Sequence, residues 1–289
     1  MMQQKQSQNQ LFDRSLIKAR LEEKQNQPVD FISTLIVEDL HIRLAAISRD
    51  FKNAAIIGSD AKSFPAKSSS ATSPINFSHF STLAKTTKSP LLELDNLILP
   101  EKNYDLIISL LDLQVINNVP KFLNQILAHL KPDGLMMMAF IGNETLTELR
   151  QSWLKADEQI LGGINARVAP FIDVKSAGNL LQDSGFALPV ADIDHHIVRY
   201  ADALSLMKEL KLLGANNPLV NKPDRFVTKN HLALACKYYE ENFSDADKRV
   251  RATLDIIWMS GWKPDASQQK PLKPGSAKIS LAKALSSKI

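Results

Sequence analysis

Apolar residues recur at helical spacing in two early stretches of the chain. Over Leu11–Glu23 (LFDRSLIKARLEE), Leu11, Ile17 and Leu21 mark one side. Over Phe31–Phe51 the apolar set is Phe31, Leu35, Ile36, Leu40, Leu44 and Ile47, close to a period of about 3.6 residues. Both predict amphipathic helices. Asn53–Gly58 is a short apolar run closed by glycine, the pattern of a buried strand and a tight turn. Residues 61–90, rich in Ser, Thr, Ala, Lys and Pro, predict no strong element beyond a weak strand around Ile75–Phe80. The pattern sharpens at Tyr104–Leu111, a fully apolar strand, followed by a helix over Val119–Leu130, a turn at Lys131–Gly134 and a strand over Leu135–Ile141. Strand, helix, turn and strand at this spacing form a βαβ unit, which requires a parallel sheet with right-handed crossovers.

Beyond Gly142 the pattern predicts helices over Glu144–Leu161, Asp173–Ser184, Ala203–Leu213, His231–Asn242 and Ala246–Arg251. Strands are predicted over Ala187–Val198 and Thr253–Met259. Gly162-Gly163, Gly185 and Gly214 stand where helices would stop. Thr145, with Glu148 three residues on, reads as a helix N-cap.

Composition changes this picture little. With 289 residues and 44% hydrophobic content, the chain can bury a substantial core. The expected organisation is a Gln-rich, disordered stretch over 1–10 and a main body over 11–262. That body has a cofactor half at about 50–141 and a cover half at about 142–262, and a basic Pro/Lys-rich tail follows over 263–289. The formal charge of +4 is concentrated at one end: six Lys against one Asp from Lys263 onward give a local +5, leaving the rest at −1. The basic balance therefore describes a tail. No apolar run approaches the roughly 20 residues that span a bilayer, and the N-terminal MMQQKQSQNQ has no apolar signal core, so a cytoplasmic protein is expected. Cys236, the single cysteine, excludes an intrachain disulfide and sits on an apolar helical pattern that suits a core position.

Ligands of open parallel sheets bind beyond the carboxyl ends of the strands. The first place to look is Gly58-Ser59-Asp60, where glycine lets a ligand approach the backbone and the next amides can meet an anion; a plain strand-ending turn is the alternative. Leu113 and Gln114 follow the Tyr104–Leu111 strand and would line the same crevice. Glu93 and Asp95, near a further strand end, could accept hydrogen bonds from an adenine amino group or a ribose, or cap the adjacent turn. Consecutive His195 and His196 point to opposite faces of a strand, which argues against a shared metal, and no metal site is expected. No nucleophile-elbow sequence supports a hydrolase. No aromatic-interleaved basic patch in the body supports nucleic-acid binding.

Several segments together resemble a known family. Tyr104–Ser109, Leu113-Gln114 and Leu130–Gly134 are similar to the fourth and fifth strand region of class I S-adenosylmethionine-dependent methyltransferases. Phe12–Arg14, Gly142–Arg150 (GNETLTELR), Arg167–Phe171, Gly185-Phe186, Pro189–Asp192, Val250–Thr253 and Ser267–Lys278 resemble one branch of them. That branch contains alphaproteobacterial methyltransferase-domain proteins and a mitochondrial complex I assembly factor, with the methyltransferase of biotin synthesis a more distant cousin. The resemblance implies an α/β, Rossmann-like seven-stranded sheet with N-terminal helices and a helical cover. It implies an S-adenosylmethionine pocket around Gly58, Ser59, Asp60, Glu93, Asp95, Leu113 and Gln114. It also implies a protein substrate, a complex I subunit in the mitochondrial relative, where the reaction is arginine hydroxylation. Glu144, Arg150, Arg167 and Phe171 would face that substrate or partner.

Two departures stand out. Relatives carry an acid shortly before the first loop glycine and a second glycine a few residues later, where this chain has Ile56 and Lys62. A ribose-binding acid at the end of the next strand is also missing, with Ser78 and His79 nearby. These departures support an alternative: a non-catalytic assembly factor that keeps the fold around a degenerate cofactor loop.

Overall fold

The computed structural model describes residues 10–24, 29–59, 64–82, 92–222 and 226–269. The expected N-terminal stretch and most of the basic tail lie outside these residues. Helices α1 (Arg14–Lys24) and α2 (Phe31–Ala45) precede β1 (Ala54–Gly58). A short β2 (Lys67–Ser69) and β3 (Pro74–Ser81) follow, then β4 (Tyr104–Leu110), α3 (Val119–His129) and β5 (Leu130–Ile141). The remaining elements are α4 (Thr147–Leu161), α5 (Val174–Asp183), β6 (Ala187–Tyr200), α6 (Ala203–Leu212), α7 (Lys229–Phe243) and β7 (Val250–Trp262).

The strands form a seven-stranded sheet in the order β2-β3-β1-β4-β5-β7-β6. β3, β1, β4 and β5 run parallel, β7 is antiparallel to both β5 and β6, and β2 is antiparallel to β3. The completely buried β1 and β4 explain their uninterrupted apolar sequence. Alternate residues feed two apolar layers. One joins Ile107, Met136, Met138 and Ile257 to Phe122, Leu123 and Ile126 of α3. The other joins Ile56, Ile108, Met137 and Trp258 to Ile36, Leu40 and Leu44 of α2. Asp105 opens β4 with an ion pair to Lys131 and accepts the Lys52 and Asn53 amides at 2.8 and 2.7 Å, which ties β1 to β4 at the end away from the crevice.

Two smaller apolar clusters build the cover. Trp153 and Leu149 of α4 pack against Leu206 of α6 and Ala235, Cys236 and Tyr239 of α7, so Cys236 lies in a core, where burial raises its thiol pKa. Phe12 and Ile17 pack with Ala169 and Leu219, placing α1 against Val115 and Phe171.

The predicted helix over Ala246–Arg251 is not formed. Asp245 and Arg249 close a turn, Lys248 takes a φ of 64°, and β7 begins at Val250. Pairing with β6 along its length outweighs the local helical pattern. α2 stops at Ala45, short of Phe51. Between β1 and β3 the described residues form the β2 hairpin in place of a crossover helix.

Candidate functional site

Strand order reverses between β1 and β4, which places the ligand crevice at their carboxyl ends. Gly58 ends β1 level with Ser81 of β3 and Leu110 of β4. Leu111 then takes a φ of 59° and turns the chain out of the strand. Asp112, next in line, is 2% exposed. Its Oδ1 accepts a 3.1 Å hydrogen bond from Thr82 Oγ1, and its Oδ2 is buried without a partner among the described residues. Burial pushes its carboxyl up to about 7, against the opposing pull of the Arg14 guanidinium and the Thr82 hydroxyl.

Among the described residues, three more buried polar atoms at this end have no hydrogen-bond partner: Asp95 Oδ1, Ser109 Oγ and Gln114 Oε1. Ser109 is on β4 itself. Gln114 is held by its amide, which donates to Leu111 O at 2.7 Å and leaves its carbonyl oxygen unpaired. Asp95 is carried to the same end because Leu92 N donates to Ser81 O at 2.9 Å, while Lys121 Nζ of α3 donates to Asp95 O at 2.6 Å. Buried polar atoms are ordinarily paired, so three orphaned carbonyl or carboxyl oxygens and one orphaned hydroxyl at one end of a sheet mark a place that a donor-rich ligand would satisfy.

The nominated residues fare unequally here. Gly58 is at the crevice and Ser59 follows it, while Asp60 and Lys62 lie outside the described residues. Glu93 and Asp95 follow Leu92, whose amide donates to Ser81 O at the end of β3. Asp95 belongs to a single 3-10 turn, Leu94–Asn96, which Glu93 precedes, exposed and without a capping hydrogen bond. The Leu92, Leu94, Leu97 and Leu99 side chains are drawn into the core against α3, which winds the segment rather than extending it. Leu113 is also a core side chain, 2% exposed, so only its backbone can line the crevice. Ile56 packs with α2, and His79 Nε2 contacts Pro65 O at 3.0 Å. The residues at the carboxyl end of β3 are therefore Ser81 and Thr82.

A β-carbon at Gly58 would lie 2.3 Å from Phe64 Cζ, so the glycine makes room for an aromatic ring. Gly58→Ala is predicted to cost about 1–3 kcal/mol by overpacking, and less in a Phe64→Ala background, where the Leu110 carbonyl oxygen at 3.0 Å remains. Urea denaturation of the two single variants and the double variant checks this. Equal costs in both backgrounds would show that the ring is not what demands glycine.

Beside the crevice, a cleft of about 460 Å³ is lined by residues including Asn143, Arg150, Trp153, Asn165, Arg167 and Pro170. Asn143 follows β5, which puts the cleft at the same end of the sheet. Arg167 is a wall rather than a free cation. Its Nε donates to Asp157 Oδ1 and Oδ2 at 2.9 and 3.0 Å, Nη2 lies 2.7 Å from Oδ1, and the guanidinium covers the Trp153 ring at 4.8 Å. His231 Nε2 lies 2.9 Å from the same carboxylate without forming a hydrogen bond to it. Arg150 contrasts with this: it makes one long bond, 3.5 Å to Thr145 O, and its charge is available to the cleft. Glu144 is exposed and receives the Asn143 amide at 2.8 Å. Phe171 packs under α1.

Thr145 does not cap α4. Its hydroxyl bonds the backbone of Asp255 in both directions, at 2.9 and 3.3 Å, and Glu148 accepts from Thr253 N and Oγ1. Leu146, with a φ of 57° and no side-chain cap, precedes the helix. Tying α4 to β7 takes precedence over local capping. Exposed His195 reaches buried Asp255 at 2.7 Å, and among the described residues no group of three or more His, Cys, Asp or Glu could hold a metal. Asp112, Thr82 and Ser109 were not singled out from sequence. The one signal was an acid interrupting the apolar run LIISLLDLQV.

A parallel sheet with this reversal of order, its last strand inserted antiparallel between β5 and β6, and helices on both faces, is the class I methyltransferase fold. The chain belongs to the methyltransferase domain family, whose model matches residues 2–189. It is similar to the Danio rerio protein named arginine-hydroxylase NDUFAF5, mitochondrial, at 38% identity over 182 residues, covering 63% of this chain and 56% of that protein. The Homo sapiens protein of the same name is 35% identical over 195 residues, covering 68% and 56%. A malonyl-[acyl-carrier protein] O-methyltransferase of Halorhodospira halophila is 29% identical over 182 residues, covering 63% and 60%. The matches span a little over half the length of each relative. No described helix is long and apolar enough to cross a membrane.

Proposed function

We propose that this chain binds S-adenosylmethionine at the carboxyl ends of β1, β3 and β4 and acts on a protein substrate presented at the adjoining cleft. The observation that carries this is the set of four buried, unpartnered polar atoms on Asp95, Ser109, Asp112 and Gln114. An adenosyl amino acid brings matching donors: an adenine amino group, ribose hydroxyls and an ammonium group. Gly58 and Ser59 would pass beneath it with backbone alone. The bound cofactor supplies an activated methyl group on a sulfonium. The protein's own contribution is orientation and exclusion of water, with α1 and the α4–α6–α7 cluster as cover, so no general base need be assigned. Arg150 is the free charge at the cleft that would orient the substrate. The relatives' names print an arginine hydroxylase and a methyltransferase of a carrier-protein-bound malonyl group, and the resemblance of GNETLTELR and its companion segments makes a respiratory complex I subunit the candidate substrate. Calorimetric titration with S-adenosylmethionine and S-adenosylhomocysteine tests this. Saturable micromolar binding is expected, and no saturation up to millimolar ligand would sink the proposal.

One observation favours a second reading. Phe64 occupies the space beside Gly58 and Ile56 replaces an acid before it, which suits a non-catalytic assembly factor. That reading requires capture of a complex I subunit by the protein, undiminished by cofactor depletion. Loss of capture on depletion would count against it.

A further inference from the structure

β1 lies between β3 and β4, and its end is a glycine level with Ser81 on one side and Leu110 on the other. Thr82 N donates to Gly58 O at 3.1 Å, which fixes Thr82 at the rim of the crevice. After the left-handed turn at Leu111, Asp112 reaches back across the end of β1 to take the Thr82 hydroxyl at 3.1 Å. A carboxylate that starts on β4 is thus anchored at the end of β3, the strand that has Ser81 and Thr82 where a ribose-binding acid is expected. We propose that Asp112 holds the ribose of the adenosyl ligand, replacing from β4 the acid that β3 lacks. This deepens the adenosyl-binding proposal and rests on it.

Three features support the assignment. Asp112 is 2% exposed, and one of its oxygens is unpartnered. The other oxygen is fixed by Thr82, so the free one has a defined direction. Arg14 already supplies a compensating positive charge, which favours neutral hydroxyl donors over a second cation at that oxygen.

The test compares S-adenosylhomocysteine with its 2′-deoxy and 3′-deoxy ribose analogues, by calorimetry on the unaltered protein and on Asp112→Asn and Thr82→Val. The unaltered protein is expected to bind at least one deoxy analogue about tenfold or more weakly than the parent, the size of one lost charge-assisted hydrogen bond. Asp112→Asn is expected to bind the parent about 10- to 100-fold more weakly and to lose the discrimination, with Thr82→Val between the two. Should Asp112→Asn fail to fold, the analogue comparison on unaltered protein and Thr82→Val still decide. Equal affinities for parent and both analogues overturn the ribose assignment and leave adenosyl binding intact. Absence of any binding by the parent overturns both.

Discussion

Replacing Asp157 by alanine lowers folding stability by about 3–5 kcal/mol, the range found when one partner of a buried ion pair is removed. Asp157 is completely buried in α4, and its carboxylate takes three close contacts from Arg167 and one from His231. It also accepts the Asn165 amide at 3.2 Å, which pins the loop lining the cleft. Removing it strands a guanidinium that is only 11% exposed and frees the loop. Typical domains are stable by only about 5–15 kcal/mol, so the loss should be plain in denaturation midpoints. Arg150→Ala, by contrast, removes one 3.5 Å contact and should stay within about 0.5 kcal/mol. A cost below about 1 kcal/mol for Asp157→Ala would refute the structural role given to Arg167 and return it to the substrate-facing group.

The second large effect depends on pH. In the folded protein the Asp112 carboxyl titrates at about 7, raised by burial, whereas in the unfolded chain it returns to about 4. Between about pH 4 and pH 7 the unfolded chain binds fewer protons than the folded one, so stability falls as pH rises through that window. The full shift corresponds to at most about 4 kcal/mol. The groups acting on this carboxyl are Arg14 from α1 and Thr82 from the end of β3, and both oppose the shift. Asp112→Asn should remove the slope, leaving the variant more stable than the unaltered protein at about pH 8 and no more stable at about pH 5. Urea midpoints measured across pH check this. A variant with the same slope as the unaltered protein would show that Asp112 is not the group responsible. Saturating S-adenosylhomocysteine should also flatten the slope if its hydroxyls favour the ionised carboxylate.

The strands of the βαβ unit from Tyr104 to Ile141 were legible because their apolar runs are set by burial on both faces of a parallel sheet, whereas the turn expected at Lys131–Gly134 lies within β5, which begins at Leu130. α3, with Phe122, Leu123 and Ile126 on its inner face, was legible for the same reason. The errors fall where a residue's partner lies far off in sequence. Thr145 and Glu148 have the spacing of a cap, but their hydrogen bonds go to β7, more than a hundred residues away. The strand start at Val250 depends on β6, and residues Ala246–Arg251 considered alone read as a helix. Asp112 stands out in sequence only as an acid within an apolar run, and its contact with Thr82, thirty residues away, places it at the crevice. Arg150 and Arg167 are equivalent as letters, and only Asp157, masked among the charges of LKADEQ, separates a free cation from a neutralised one.

Binding of the adenosyl ligand at the crevice is tested most directly by a crystal structure grown with saturating S-adenosylhomocysteine. The expected density lies beyond β1 and β4, with ligand donors at hydrogen-bonding distance from Asp95 and Asp112 and with Phe64 beside Gly58 or displaced from it. Density at another site, or an empty crevice at saturating ligand, would contradict the assignment of this end of the sheet as the cofactor site.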